Sequence, residues 1–400
     1  MQLAKEILFR KFTAKIPSTK HGVFSLYKYP ARFIPQVPAF VMENYAKSGM
    51  KIFDPFAGFG TVGFVARLYG VSYELWDLNP LLAYIHSVGI SEAMYLDIAE
   101  IFKNSSAEFV PKTPNISYWH PEEFLRLLVK AWGVYHNSDQ FLKNLLLIPL
   151  LKTTKYFSYA DEKVHKLYRS KYSREKVSRI LKQDYKTLFY NILDSELKKV
   201  CRKISKYKKL GPKDVSFNIK AGVDAFEEEL QDYVNIMLTS PPYLQAQEYI
   251  RTTKLELFWL GFDEAYVREL SKKEIPYRRV RNICIKSPTY YTYRSLIQEP
   301  KLIELYDNYF HAIIGILERL SQKITDYLFI FVGPAKIRTL QIPIHEIIAE
   351  HMTELGFAHE ITYVDKIVSR VMFPVKKNPA TGLADERIAN EYLVVLKRTK

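Results

Sequence analysis

The chain has 400 residues, 48% of them hydrophobic, enough for a large core built as one catalytic domain enlarged by insertions or by a second domain. It contains no uninterrupted apolar run of about 18 residues, and MQLAKEILFRKFTAKIPSTK at its start lacks the apolar stretch and small-residue cleavage site of a secretory signal. A soluble, cytoplasmic protein with no membrane partner is therefore expected, and the net charge of +15 favours a polyanionic partner.

In chain order, Lys51–Phe53 leads into DPFAGFGTVGFVARLYG, residues 54–70. Gly58 and Gly60 mark a turn, and Val62, Val65, Ala66 and Tyr69 follow at helical spacing, so this stretch predicts a strand, a turn and a helix. Glycines at such a turn adopt conformations closed to other residues and let a ligand approach the main chain. VSYELWD predicts a second strand ending in Asp77, 19 residues beyond Gly58. An acid at about that distance beyond a Gly-rich turn is placed to bind ribose hydroxyls in a doubly wound fold. The turn matches neither GxGxxG nor the GK[ST] of a phosphate loop, which weakens dinucleotide and ATP readings.

FNIKAGVD (217–224) predicts a third strand ending at Asp224, and YVNIMLTS (233–240) a fourth, which runs into TSPPY (239–243). A helix over Leu302–Leu320, a strand over Asp326–Val332 and a helix over Ile344–Leu355 closed by Gly356 follow, with strands near Ala358–Val364 and Glu391–Lys397. This alternation predicts an α/β fold with a doubly wound, Rossmann-like sheet, assembled from 1–92, 216–262 and 301–400. Two stretches break the alternation: 93–215, long and mostly helical, and 263–300, polar and rich in Tyr and Arg. Both read as insertions, or as a separate domain, at the binding edge of the sheet. Cys201 and Cys284 have no CxxC or Cys/His spacing, so neither a disulfide framework nor a zinc site is expected; both read as ordinary thiols, buried or half-exposed.

The charge is uneven. Between Leu151 and Lys213 there are 19 Lys and Arg against 6 Asp and Glu, a net +13. Tyr156, Phe157, Tyr159, Tyr168 and Tyr172 are interleaved with these cations, the mixture that contacts phosphates and stacks on bases. Lys163, Lys166, Arg169 and Lys171 are the candidate nucleic-acid contacts here. Arg278, Arg279, Arg281 and Arg294 in the second insertion are candidates for phosphate or bidentate guanine contacts.

Together these motifs resemble the S-adenosylmethionine-dependent amino-methyltransferases of DNA, which methylate cytosine N4 or adenine N6. DPFAGFGT is similar to their cofactor loop, WDLNP (76–80) to their ribose-binding strand end, TSPPY to their catalytic tetrapeptide with its leading residue, and HGVFSLYKYPARFIPQVP (21–38) to an upstream cofactor motif. The resemblance covers about 21–90 and 215–260. It implies S-adenosylmethionine as cofactor, held by Phe33, Pro35, Asp54, Phe56, Ala57, Gly58, Gly60, Thr61, Asp77, Leu78, Asp224 and Ala225. Asp54 would meet the methionine ammonium directly or through water, Asp77 the ribose, and Asp224 the adenine amine, with a capping or turn residue as the lesser reading of Asp224. Arg32 reads as a ligand contact or as a surface cation.

Ser240, Pro241, Pro242 and Tyr243 are the implied catalytic set. The Ser240 hydroxyl and Pro241 carbonyl would accept the hydrogens of an exocyclic amine, the prolines would hold that carbonyl rigidly, and Tyr243 would stack on a base swung out of the duplex. Without a Pro-Cys nucleophile, ring-carbon methylation is disfavoured. In the resembling families Ser before Pro-Pro usually accompanies cytosine N4, and Asp or Asn adenine N6, so cytosine N4 is the expected target and adenine N6 the alternative. The implied partner is duplex DNA, with a cognate restriction endonuclease as functional counterpart. A structured-RNA methyltransferase and a non-enzymatic DNA-binding module remain open. In one respect the chain departs from the resembling families: the large insertion lies between the second and third strands, whereas their target-recognition region lies after the third strand, between the third and fourth, or at the end of the domain.

Overall fold

The computed structural model describes residues 4–399 apart from 14, 30–31, 104, 164–166, 245–247, 276 and 367–389. Its strands in chain order are β1 (Ala4–Ile7), β2 (Lys51–Asp54), β3 (Ser72–Asp77), β4 (Phe217–Ala221), β5 (Val234–Thr239), β6 (Ile324–Val332), β7 (Ala335–Ile337), β8 (Leu340–Ile342), β9 (Phe357–Lys366) and β10 (Asn390–Arg398). Eight of them form one sheet in the order β4-β3-β2-β5-β6-β10-β9-β1, while β7 and β8 pair as a separate hairpin. From β4 to β6 every neighbour is parallel; β10 lies antiparallel to both β6 and β9. The fold is thus α/β with a doubly wound, Rossmann-like sheet. Chain order reverses between β2 and β5, the switch point at which such sheets bind ligands beyond their carboxyl ends.

Period-2 alternation of side chains sorts the strands into two cores. Ile52, Leu75, Ile236, Leu238, Phe329 and Phe331 face one, and Phe53, Trp76, Met237, Leu328, Ile330 and Val332 the other. Helices Pro300–Ser321 and Ile344–Thr353 cover the second face, burying Tyr309, Phe310, Ile313, Ile347 and Ile348.

The first face carries helices Gln36–Tyr45, Thr61–Tyr69 and Leu81–Ile90, and also the long helices of 93–215. Helix Tyr185–Lys208 starts where Asp184 accepts the Thr187 N–H at 3.1 Å, and Lys171–Leu181 where Ser170 and Ser173 form a capping box. Tyr207 fixes the longer helix to the sheet layer: its ring meets Phe24 and Phe64 edge-on, and its hydroxyl donates to the Phe64 carbonyl at 2.7 Å. Trp132, Leu146, Phe189 and Leu197 lie in the same buried cluster as Phe64 and Leu75, so the inserted helices share the core of the sheet. Among the described residues, no helix is long and apolar enough to cross a membrane.

Candidate active site

The ends of β2 and β5 are tied together at the switch point. The Thr239 hydroxyl donates to Asp54 Oδ1 at 2.7 Å, and the Phe56 N–H donates to the same oxygen at 3.0 Å. Asp54 is 1% exposed, and burial pushes its carboxyl up to about 7. It stands behind the turn as a brace, away from the cleft in front.

The following turn needs its glycines, because Gly58 has φ +53° and Gly60 φ +81°. Gly58 N–H donates to Asp77 Oδ2 at 2.7 Å and Asn79 N–H to Oδ1 at 2.8 Å, so the acid ending β3 locks the glycine turn against its own strand. Burial raises the Asp77 carboxyl to about 6. A carboxylate offers about four lone-pair sites, so two hydrogen bonds leave capacity for a ligand.

These strand ends converge on a cleft of about 760 Å³ of empty space, partly open to solvent. Of the candidate residues, Phe56, Gly58, Asp77, Leu78, Asp224, Ala225, Ser240 and Pro242 line it. The others support it from behind or lie beside it. Phe33 stacks on Phe331 with centroids 5.3 Å apart, and its carbonyl accepts from the Thr61 hydroxyl at 3.3 Å. Pro35 caps helix Gln36–Tyr45, Gly60 caps Thr61–Tyr69, and Ala57 N–H donates to the Trp76 carbonyl at 2.8 Å. Pro241 is buried, and the Tyr243 hydroxyl donates to Glu391 at the start of β10 at 3.4 Å. β4 ends at Ala221, so Asp224 sits in the turn beyond it, accepting the Phe226 N–H at 3.0 Å. Arg32 is half-buried, which lowers its guanidinium to about 10, and lies 5.1 Å over the Phe59 ring.

Several lining residues escape sequence reasoning. Tyr29 lies within the upstream motif but carries no signal of its own; a Cβ on Gly58 would meet its ring at 3.2 Å. Tyr249 and Ile250 come from the first turn of helix Tyr249–Trp259, and Lys273, Glu274 and Ile275 from the polar second insertion. Only the tertiary fold brings that insertion to the cleft.

The cationic candidates divide. Arg278 is placed against the cleft and not on an open face: it pairs with Asp224 and lies 4.8 Å over Phe226. Arg294 forms a bidentate pair with Asp307 at 2.8–3.1 Å, so both arginines already hold acids of their own chain. Arg279 reaches Glu304 at 3.2 Å and is 87% exposed, and Arg281 is exposed. In the first insertion, Lys171 is exposed, Lys163 lies 3.7 Å over the Tyr172 ring, and Arg169 is wedged 3.8 Å from the Tyr159 ring and 5.0 Å from that of Tyr118. Lys166 lies outside the described residues. Phe157 differs from the expected stacking set: fully buried, it packs on Phe124 and Phe189. Cys284 is exposed and Cys201 half-buried.

No family model matches the chain. It is similar to the Type II methyltransferase M.MvaI of Kocuria varians, 23% identical over 423 residues that cover 95% of this chain and 92% of that protein. The Type II methyltransferase M.BsoBI of Geobacillus stearothermophilus is 25% identical over 333 residues, 75% of this chain and 64% of the relative. The solved structure of the rRNA methyltransferase aviRa from Streptomyces viridochromogenes aligns over 96% of this chain and 96% of its own at 11% identity, with a TM-score of only 0.28. The two relatives, matched over most of this chain, support a methyltransferase.

Proposed function

We propose that the protein transfers a methyl group from S-adenosylmethionine to the exocyclic N4 amine of cytosine in duplex DNA. The observation that carries this reading is that Ser240 and Pro242 of the SPPY turn line the same cleft as Gly58, Asp77 and Asp224. The lining also fits the cofactor chemically. Asp77 and Glu274 bring two carboxyl groups to a glycine backbone, while Asp224 is paired with Arg278 and Lys273 turns to Glu227; this suits a cationic, hydroxyl-bearing ligand and disfavours a phosphate-bearing one. When bound, S-adenosylmethionine supplies a methyl group already activated on a sulfonium.

The chain's residues then have positioning and electrostatic work to do. Asp77 holds ribose hydroxyls with its free lone pairs, and Asp224, anchored by Arg278, the adenine amine. Ser240 Oγ and the Pro241 carbonyl accept the two amino hydrogens of the target base, which localises a nitrogen lone pair otherwise delocalised into the ring. The Thr239–Asp54 hydrogen bond keeps that pair of acceptors in register with the glycine turn. Tyr243, held by Glu391, walls the target base after it leaves the duplex. Lys163, Lys171, Arg279 and Arg281 are the exposed cations assigned to the DNA backbone. Arg169, half-buried among tyrosines, is assigned to the same surface. The family resemblance implies a cognate restriction endonuclease as a functional counterpart.

The test incubates the purified protein with labelled S-adenosylmethionine and mixed-sequence duplex DNA or total tRNA, followed by digestion to nucleosides and mass spectrometry. N4-methylcytosine in DNA, lost in Ser240→Ala while cofactor binding persists, is the expected result. N6-methyladenine would correct the base, and label in tRNA alone would overturn the DNA reading.

A further inference from the structure

The sequence reading sends the second insertion to DNA, yet three of its consecutive residues, Lys273, Glu274 and Ile275, line the cleft that also holds Asp77 and Ser240. Glu274 is 6% exposed. It accepts the Ile250 N–H at 2.9 Å at the start of helix Tyr249–Trp259, which fixes the carboxyl at the cleft wall. The neighbouring cation does not neutralise it: the Lys273 ammonium turns to Glu227 at 2.8 Å and towards Asp224 at 3.9 Å. Among the described residues, the charged groups that act on Glu274 are Glu248 and Asp77, both acids. The rings of Tyr29 and Tyr249 complete this side of the cleft.

A buried carboxylate facing other carboxylates without a counter-ion is costly. A cationic ligand removes that cost, and aromatic walls favour such a cation further. Burial accordingly lifts the Glu274 carboxyl to about 7, so a neutral ligand leaves it partly protonated near neutral pH while a cation draws it to the charged form.

We infer that Glu274 makes the pocket discriminate by charge, holding the sulfonium form of the cofactor in preference to the thioether left after methyl transfer. This rests on the cofactor reading above and adds product release to it. S-Adenosylmethionine carries one positive charge more than S-adenosylhomocysteine, so departure of the methyl group removes the interaction with Glu274 and loosens the product.

Isothermal titration of the full chain with S-adenosylmethionine, S-adenosylhomocysteine and sinefungin, a non-reactive analogue with an ammonium in place of the sulfonium, tests this. Glu274→Gln retains an oxygen for the Ile250 N–H but loses the charge. It should weaken both cationic ligands by about tenfold and leave S-adenosylhomocysteine within about twofold. Glu274→Asp should restore part of the preference. Equal weakening of all three ligands, or no change in any, would overturn the inference. Failure of the wild-type chain to bind either S-adenosylmethionine or S-adenosylhomocysteine would overturn the cofactor reading beneath it.

Discussion

Asp54 accepts two hydrogen bonds on one oxygen, yet burial dominates and its carboxyl titrates near 7, against about 3.9 in an unfolded chain. A raised folded pKa means that the native state binds the extra proton, so stability is highest below the unfolded value and falls as pH rises from about 4 to about 7. Asp77, raised to about 6, contributes in the same direction. Asp54→Asn keeps an acceptor for Thr239 and Phe56 but cannot ionise. In ligand-free protein the variant should lose much of this pH-dependent fall, of the order of 1–3 kcal/mol, in urea titrations at pH 5 and pH 8. An unchanged pH slope would show that the Asp54 carboxyl ionises without penalty.

At the scale of elements, the two inserted stretches predict different phenotypes. Arg278 holds Asp224 beside the cleft, so Arg278→Ala should weaken S-adenosylmethionine binding about tenfold, the loss of one charge-assisted hydrogen bond, and leave the salt dependence of DNA binding unchanged. A flattened salt dependence with intact cofactor binding would return Arg278 to the DNA surface. Substituting Lys163, Arg169 and Lys171 together with Gln should do the reverse, reducing the slope of log K against log salt by up to about 0.9 for each phosphate no longer neutralised. The difference follows from surroundings and not from residue type: Arg278 is 13% exposed beside Asp224, whereas Lys171 is 93% exposed.

For the whole molecule, the decisive feature is that the 93–215 helices are built into the face of the sheet, where Tyr207 joins Phe24 and Phe64 in one buried cluster. Tyr207→Ala should therefore cost about 3–5 kcal/mol and lower a single calorimetric transition; a separate early transition for the helices would mean that they fold independently. Much of the secondary structure is legible in the sequence because its causes are local. Side-chain period marks strand and helix, glycine and proline mark their ends, and helix Ile344–Thr353 and strand β9 fall within a few residues of the expected spans. The glycine turn, the acid ending β3 and SPPY are equally visible, since each is a short stretch whose chemistry depends on its own residues. Composition cannot encode which surfaces meet. Phe157 reads as one ring among cations yet fills the core, Arg278 reads as a free cation yet grips Asp224, and Glu274 reads as one acid in a polar stretch yet faces the cleft. Arg278 finds its acid 54 residues away in the chain, while Phe157 and Glu274 meet groups carried by other helices. Only burial against such distant partners decides whether a ring is core or surface, and whether a charge is solvated or put to use.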